Sequence, residues 1–190
     1  MRVLRDRLGE STAALRGVFG NPGLRWVQLA YAGASLGTYA YSIAVSVYAY
    51  HHGGASAVGV FMAVRLGLAA VVAPLAASIA DRFRRERVLL ASDVSRAAAV
   101  AGAAVAASAG EPMLVYGLAV LSTVCGTVFS PAESALLPTL ARSPEELTAS
   151  NVASSTFDSV GSFVGPALAA LLLSVSSPSI VFALVAVTYV

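Results

Sequence analysis

The hydrophobic and polar positions divide this chain into long apolar segments separated by short polar breaks. An α-helix needs about 20 mostly apolar residues to cross the hydrocarbon core of a bilayer. On that criterion the pattern predicts six membrane spans, the last one cut short, over residues 24–50, 57–80, 88–109, 113–137, 152–175 and 180–190. Because the last segment is too short to cross a bilayer, we expect the chain to be a piece of a longer protein.

Composition narrows the class of protein. Hydrophobic residues make up 57% of the chain and charged residues 12%, about half the charged fraction of a soluble domain. Uninterrupted apolar runs favour helices, since a membrane barrel has short alternating segments. The predicted fold class is therefore all-α, a polytopic bundle of transmembrane helices. The arginines cluster at segment ends without forming a basic face, so we expect no nucleic-acid partner.

The arginines also predict the orientation. Ten of the twelve lie in residues 1–25, in the turn at 82–87 or in the loop at 138–148, and the loops on the opposite side hold none. Cytoplasmic loops collect Lys and Arg, so the N-terminus is predicted to be cytoplasmic. Residues 1–23 mix arginines with spaced leucines and predict a cytoplasmic amphipathic segment. We expect a multi-pass protein of the bacterial plasma (inner) membrane.

Ionisable and polar residues inside the spans are the candidates for function, because charges are costly at that depth. Arg65 and Asp158 are the sharpest, and each is a candidate for substrate binding or ion coupling. The polar positions of the first span, Tyr31, Tyr39 and Gln28, are further candidates.

Three other charges in the spans lie close to the cytoplasmic face, where structural pairing is the simpler interpretation. We expect Asp93 to pair with Arg96 across one helical turn. We expect Glu133 to pair with the arginine-rich turn.

Signatures of enzymes and resident cofactors are missing. The sequence contains no H-E-x-x-H, no G-x-S-x-G and no G-x-x-x-x-G-K, the motifs of zinc proteases, serine hydrolases and phosphate-binding loops. His51 and His52 have no carboxylate or cysteine near them that would complete a metal site. We therefore predict that the protein is not an enzyme and has neither a cofactor nor a metal.

Two motifs resemble those of the major facilitator superfamily of secondary transporters. Residues 77–87, A-S-I-A-D-R-F-R-R-E-R, resemble its G-x-L-A-D-R-x-G-R-[KR]-[KR] loop and depart from it at Ala77, Arg84 and Glu86. Gly161, Gly165 and Pro166 match the start of the antiporter motif G-x-x-x-G-P-x-x-G-G, whose last two glycines are replaced by alanines. Residues 131–138, P-A-E-S-A-L-L-P, are similar to the siderophore and macrolide exporter branch.

This resemblance implies a fold, a mechanism and a set of roles. The chain would be the N-terminal six-helix half of a transporter that exports amphipathic small molecules, drug-like or siderophore-like, by alternating access. Its partners would be the lipid bilayer, the small-molecule substrate, the C-terminal half and protons as the coupling ion. A cytoplasmic gate would contain Asp81, Arg82, Arg85 and Arg87. Close packing and bending of span five would depend on Gly161, Gly165 and Pro166.

A membrane anchor or sensor remains the competing class. Transporter-like spans can carry a cytosolic regulatory domain, and a half-bundle could scaffold one. The sequence beyond residue 190 would separate the two classes, since six further spans favour transport and a soluble signalling domain favours sensing.

Overall fold

The computed structural model describes residues 17–190, apart from the side chains of Ala80 and Asp81. The predicted segment 1–23 therefore lies largely outside the described residues. The described part is helical and contains no strand, which confirms the all-α fold class. Its helices are α1 (Pro22–Arg82), α2 (Arg85–Ala109), α3 (Pro112–Gly126), α4 (Phe129–Leu140), α5 (Pro144–Val175) and α6 (Pro178–Val187).

Helix α1 is broken at two glycines into two arms. Gly53 has φ −162° and ψ 17°, and Gly54 has φ 65° and ψ −160°. A positive φ with extended ψ is open almost only to glycine, which has no Cβ. The first arm (residues 22–52) and the second arm (residues 55–82) touch through Ser42 and Arg65, which lie equally far along the chain from the break. The arms therefore run antiparallel, as two passes of a hairpin.

Asn21 ties three helix ends together. Its Oδ1 accepts from the Gly23 amide over 3.2 Å and caps α1. Its Nδ2 donates to the Leu140 carbonyl over 2.9 Å and to Glu146 Oε2 over 3.2 Å. The start of α1, the end of α4 and the start of α5 thus lie at one end of the bundle. The arginine-rich turn shares a pocket with Thr139 near the same end, which we call the arginine end.

The fourth predicted span is not one continuous helix. It divides into α3 and α4 at Thr127 and Val128, and α4 continues through Pro138 to Leu140. Pro131 explains the division, because it lacks an amide hydrogen and its ring clashes with the carbonyl four residues earlier, that of Thr127. The Thr127 amide and hydroxyl bond back to the carbonyls of residues 123 and 124.

The start of α5 has a capping box in a shifted version. Ser143 Oγ accepts from the Glu146 amide over 3.2 Å, as expected of an N-cap. The Glu146 carboxylate accepts from the Arg142 amide over 2.8 Å, one residue before the cap. The acidic side chain still satisfies an amide at the helix start, and it also binds Asn21.

Four helical stretches of the described residues are long and apolar enough to cross a membrane: Pro22–Ile79, Arg85–Ala109, Pro112–Leu140 and Pro144–Val175. Helix α6 is apolar but shorter. Its Phe182 is fully buried and meets the Tyr41 ring edge-on at 5.2 Å. Large apolar side chains such as Val71 and Phe163 are exposed on the outside of the bundle, where lipid or another protein surface would cover them.

Candidate functional site

A cavity of about 340 Å³, lined by charged and hydroxyl side chains among apolar and aromatic ones, lies inside the bundle between both arms of α1 and helices α2 to α5. Four of the five substrate or coupling candidates line it: Tyr31, Tyr39, Arg65 and Asp158. Other lining residues had not been singled out for ligand binding: Thr38, Tyr41, Arg96, Thr123, Phe129 and Tyr189. The cavity therefore brings together three charged residues that the sequence places inside the spans, Arg65, Arg96 and Asp158.

Arg65 enters the cavity from the second arm of α1. At 1.5 Å per residue it lies about 16 Å along the arm from the Gly53–Gly54 break, which is about half the thickness of a hydrocarbon core. Its Nε donates to Thr123 Oγ1 over 2.9 Å and its Nη1 to Ser42 Oγ over 2.7 Å. Both partners are neutral. Among the side chains that the structure describes, no carboxylate lies within 4 Å of this guanidinium.

Arg96 lies in the wall of the cavity and is only 5% exposed. Its Nη1 lies 3.6 Å from Asp93 Oδ1, the predicted pair across one turn of α2. Its Nη2 donates to Thr38 Oγ1, and its Cζ lies 4.1 Å from the centre of the Tyr189 ring. The Phe129 ring lies 5.8 Å from the same Cζ, so the arginine is compensated by one carboxylate and two aromatic rings. The sequence predicted the pair but missed the cavity, since helical spacing does not tell which other helices Arg96 faces.

Asp158 of α5 faces the cavity opposite the first arm of α1. Its oxygens accept from the Tyr39 hydroxyl at 3.3 Å and from Ser35 Oγ at 3.3 Å. Within residues 17–190, no described basic side chain approaches it to 4 Å. Asp158 and Arg65 thus face one cavity without pairing with each other.

Gln28, the fifth candidate, lies outside this cavity. It is fully buried closer to the arginine end, where α5 packs against α1. Its Nε2 donates to the Ser150 carbonyl over 3.2 Å and to Ser154 Oγ over 3.0 Å. Gln28 lies on the same face of α1 as Tyr31, one helical turn earlier, and α5 covers it there.

Glu133 joins this buried cluster and does not pair with the arginine-rich turn, so that prediction was wrong. It is 4% exposed and accepts from Ser154 Oγ over 2.7 Å. The α4 helix turns this side chain inward toward α5, away from the exposed arginines. Gln28, Ser154 and Glu133 form a chain of hydrogen bonds that joins α1, α5 and α4, and we call it the Gln28 cluster.

The two motif glycines of α5 pack against the backbone of α1. A Cβ at Gly165 would lie 2.9 Å from the Leu36 carbonyl oxygen and 2.9 Å from Tyr39 Cβ. A Cβ at Gly161 would lie 2.6 Å from Ser35 Oγ. Helix α5 continues through Pro166 to Val175. This close approach sets the distance between Asp158 and the α1 residues that bind it.

The predicted gate residues lie at the arginine end. Arg82, Arg85 and Arg87 are exposed, and the side chain of Asp81 lies outside the described residues. Arg84 and Glu86, two of the positions that depart from the family motif, pair at 3.2 Å. Both are exposed, and such pairs contribute little to stability. The charges of Arg84 and Glu86 therefore neutralise each other. The other three arginines of the turn have no described ion-pair partner.

No group of three His, Cys, Asp or Glu residues suited to a metal ion occurs among the residues described. The cavity instead offers two arginines, one carboxylate and several hydroxyls beside aromatic rings. Such a lining suits the binding of a small organic molecule through hydrogen bonds and charge.

Comparison with known proteins adds the family. The family model described as Major Facilitator Superfamily matches residues 27–190. No curated protein and no solved structure matches the chain. The matched region includes both arms of α1 from residue 27 and all later helices, and with them every residue of the cavity. The chain belongs to the major facilitator superfamily and is a membrane transporter.

Proposed function

We propose that the protein is a secondary active exporter of amphipathic small organic molecules in a bacterial plasma membrane. It works by alternating access, and protons drive it through Asp158. The observation that carries this proposal is the single cavity lined by Arg65, Asp158 and aromatic side chains. The export direction rests on the resemblance of residues 131–138 and 161–166 to exporter motifs. The siderophore and macrolide branch is the part of the family we favour.

The lining supports an organic substrate over a small ion. Tyr31, Tyr41 and Phe129 provide aromatic surface next to the charged groups. An inorganic ion gains at most a cation–π attraction from such rings, whereas an amphipathic molecule also buries its apolar body against them. Asp158 is the proposed proton carrier because its described partners are the neutral hydroxyls of Ser35 and Tyr39. A carboxylate without a cation beside it can gain and lose a proton as its surroundings change.

The outer face of α5 supports alternating access between two halves. Polar side chains at spacings of three and four residues are exposed along it, namely Thr148, Asn151, Ser155, Ser159 and Ser162. This spacing places them on one face of the helix. An exposed polar stripe along a membrane span is unfavourable against lipid and favourable against water or protein. We therefore place this stripe against the C-terminal half, along the path that opens and closes.

The arginine end would act as the cytoplasmic gate. Arg82, Arg85 and Arg87 are exposed and can pair with acidic groups or lipid phosphates. In the proposed cycle these contacts, with Asp81, hold the inner side closed while the cavity faces outward. They release as the halves rock about the substrate site.

Transport by the full-length protein tests the proposal. We would express it in a strain that lacks its own drug exporters and measure retention of a panel of amphipathic compounds, with and without a protonophore. The expected result is lower retention of at least one compound, restored to the level of empty cells by the protonophore. Retention equal to that of empty cells for the whole panel would contradict the export function.

The role of Asp158 is tested by Asp158→Asn in the same cells. We expect this variant to lose proton-driven export while substrate exchange across reconstituted vesicles continues at substrate concentrations well above the KM, since exchange requires no net proton movement. Glu111→Gln is the matched control, because Glu111 is an exposed carboxylate at the start of α3, outside the cavity. Proton-driven export by Asp158→Asn at the wild-type rate would rule out the coupling role.

A further inference from the structure

Arg65 and Asp158 carry opposite charges that neither meet each other nor meet a described counter-charge. Both line the same cavity of about 340 Å³. The described bonds of Arg65 go to hydroxyls of Ser42 and Thr123, and those of Asp158 come from hydroxyls of Ser35 and Tyr39. The third charge on the wall, Arg96, already has Asp93 at 3.6 Å. One cation and one anion therefore remain uncompensated around a single space.

Distant charges do not supply the missing partners. Asp81 lies on the same arm as Arg65, but sixteen residues of helix separate the two by about 24 Å. Glu133 is bonded to Ser154 in the Gln28 cluster. An ion that is partly withdrawn from water without a counter-charge is disfavoured, and a ligand that supplies the counter-charge offsets part of that cost.

Each of the two groups keeps hydrogen-bonding capacity for a ligand. A guanidinium has five N–H donors, and the described bonds of Arg65 use only Nε and Nη1. A carboxylate accepts about four hydrogen bonds, and the contacts to Asp158 are long, at 3.3 Å. Aromatic surface from Tyr31 and Phe129 lies in the same cavity.

We propose that the substrate is dipolar, with an anionic group that binds Arg65, a protonated amine that binds Asp158, and an apolar body between them. This inference rests on the proposed function and names its substrate class. It also provides a physical basis for exchange against protons, because the substrate amine and a proton compete for the same carboxylate. A dipolar phospholipid headgroup has the same chemistry, so the experiment must separate it from a free molecule.

The test uses three probe molecules that share the same rigid biphenyl framework and differ in charge. The first is 4′-(aminomethyl)biphenyl-4-carboxylate, the second its primary amide, which is only cationic, and the third its N-acetyl derivative, which is only anionic. Binding is measured by equilibrium dialysis with the purified full-length protein in the uncharged detergent dodecyl maltoside. We expect the dipolar probe to bind at least about tenfold more tightly than either singly charged probe.

Two variants assign the charges. Arg65→Gln should abolish the advantage of the dipolar probe over the amide and leave its advantage over the N-acetyl probe. Asp158→Asn should abolish the advantage of the dipolar probe over the N-acetyl probe and leave its advantage over the amide. A general loss of packing would weaken all three probes together, so this selective pattern separates recognition from structure. Arg65→Lys keeps the charge and should retain the preference if Arg65→Gln does not fold. Arg142→Gln, at an exposed arginine outside the cavity, should bind all three probes as the wild type does.

The outcomes are distinct. Equal binding of the three probes, absence of binding, or a preference that both variants leave intact would overturn the dipolar substrate. Displacement of the dipolar probe by dihexanoylphosphatidylethanolamine would keep the dipolar site and identify a lipid headgroup as its source, whereas no displacement points to a free molecule. Asp158-dependent export of compounds with no dipolar preference would overturn this inference and leave the proposed function standing. The expected binding pattern without proton-driven export would overturn the proposed function and leave the dipolar substrate standing.

Discussion

Arg65 Nη1 donates a hydrogen bond to Ser42 Oγ over 2.7 Å, and this contact joins the two arms of α1. The same guanidinium reaches α3 through Thr123 Oγ1 at 2.9 Å. Two neutral hydroxyls on two different helical segments therefore fix the direction of a cation in mid-span without neutralising it. Such an arrangement orients the charge toward a ligand while leaving it available.

Removal of both hydroxyls should weaken substrate binding. In the variant Ser42→Ala/Thr123→Ala the guanidinium loses two hydrogen bonds, each contributing about 0.5–1.5 kcal/mol to its position. The two bonds together amount to about 1–3 kcal/mol, so we expect the KM for export to rise by about fivefold to 150-fold with kcat little changed. The measurement is the concentration dependence of transport in vesicles. Ser46→Ala is the control, since its hydroxyl bonds the Ser42 carbonyl within the same helix. An unchanged KM in the double variant would show that the hydroxyls do not orient Arg65.

Gly165→Ala should lower the stability of the bundle. The new methyl group would lie 2.9 Å from both the Leu36 carbonyl oxygen and Tyr39 Cβ, so α1 and α5 must move apart. Overpacking of this kind costs about 1–3 kcal/mol, and we expect a lower Tm in detergent by fluorescence-detected thermal unfolding. Gly67→Ala is the matched control on the second arm of α1, where the added atom meets nothing within 4 Å. A Tm for Gly165→Ala equal to that of the control would contradict the close contact.

Ser154→Ala should destabilise the Gln28 cluster. Glu133 would lose the 2.7 Å hydrogen bond from Ser154, and Gln28 would lose one of its acceptors. A buried polar group left without its partner costs about 1–3 kcal/mol. Adding Glu133→Leu should recover part of the lost Tm, because the group left without a partner is then gone. Ser134→Ala is the control, at an exposed position next to Glu133 in the chain, and equal effects of the two serine variants would refute the role of the cluster.

Asp81→Asn and Arg85→Gln test the gate. We expect either substitution to reduce export strongly, because the contacts that close the inner side lose a charge, while membrane insertion and amount of protein stay at wild-type levels. Insertion is measured by labelling of introduced surface cysteines, and export by compound retention. Arg84→Gln is the control, since Arg84 is paired with Glu86 at 3.2 Å. Wild-type export by Asp81→Asn would rule out the gate.

The helices were largely predictable from the chain, because a membrane span must be long and apolar and its breaks must be polar or carry glycine and proline. The glycine pair at residues 53 and 54 and the Asn21 cap lie where local chemistry places them. The interruption between α3 and α4 was missed, although Pro131 supplied the signal. One proline can be absorbed inside a membrane helix or can divide it, and the neighbouring hydrogen bonds decide between the two.

What the sequence determined by itself was the class of protein, the approximate spans, the family motifs and the short set of charges worth following. Hydrophobicity and helix-breaking residues act over a few neighbouring positions, so they can be read along the chain. Only the tertiary structure decided which charges share a space. It places Arg65 of α1 and Asp158 of α5 around one cavity, with Arg96 in its wall. Gln28 and Glu133 lie in a separate buried cluster. These assignments depend on how closely α1 and α5 pack at Gly161 and Gly165, a relation between residues more than a hundred positions apart that no local pattern contains.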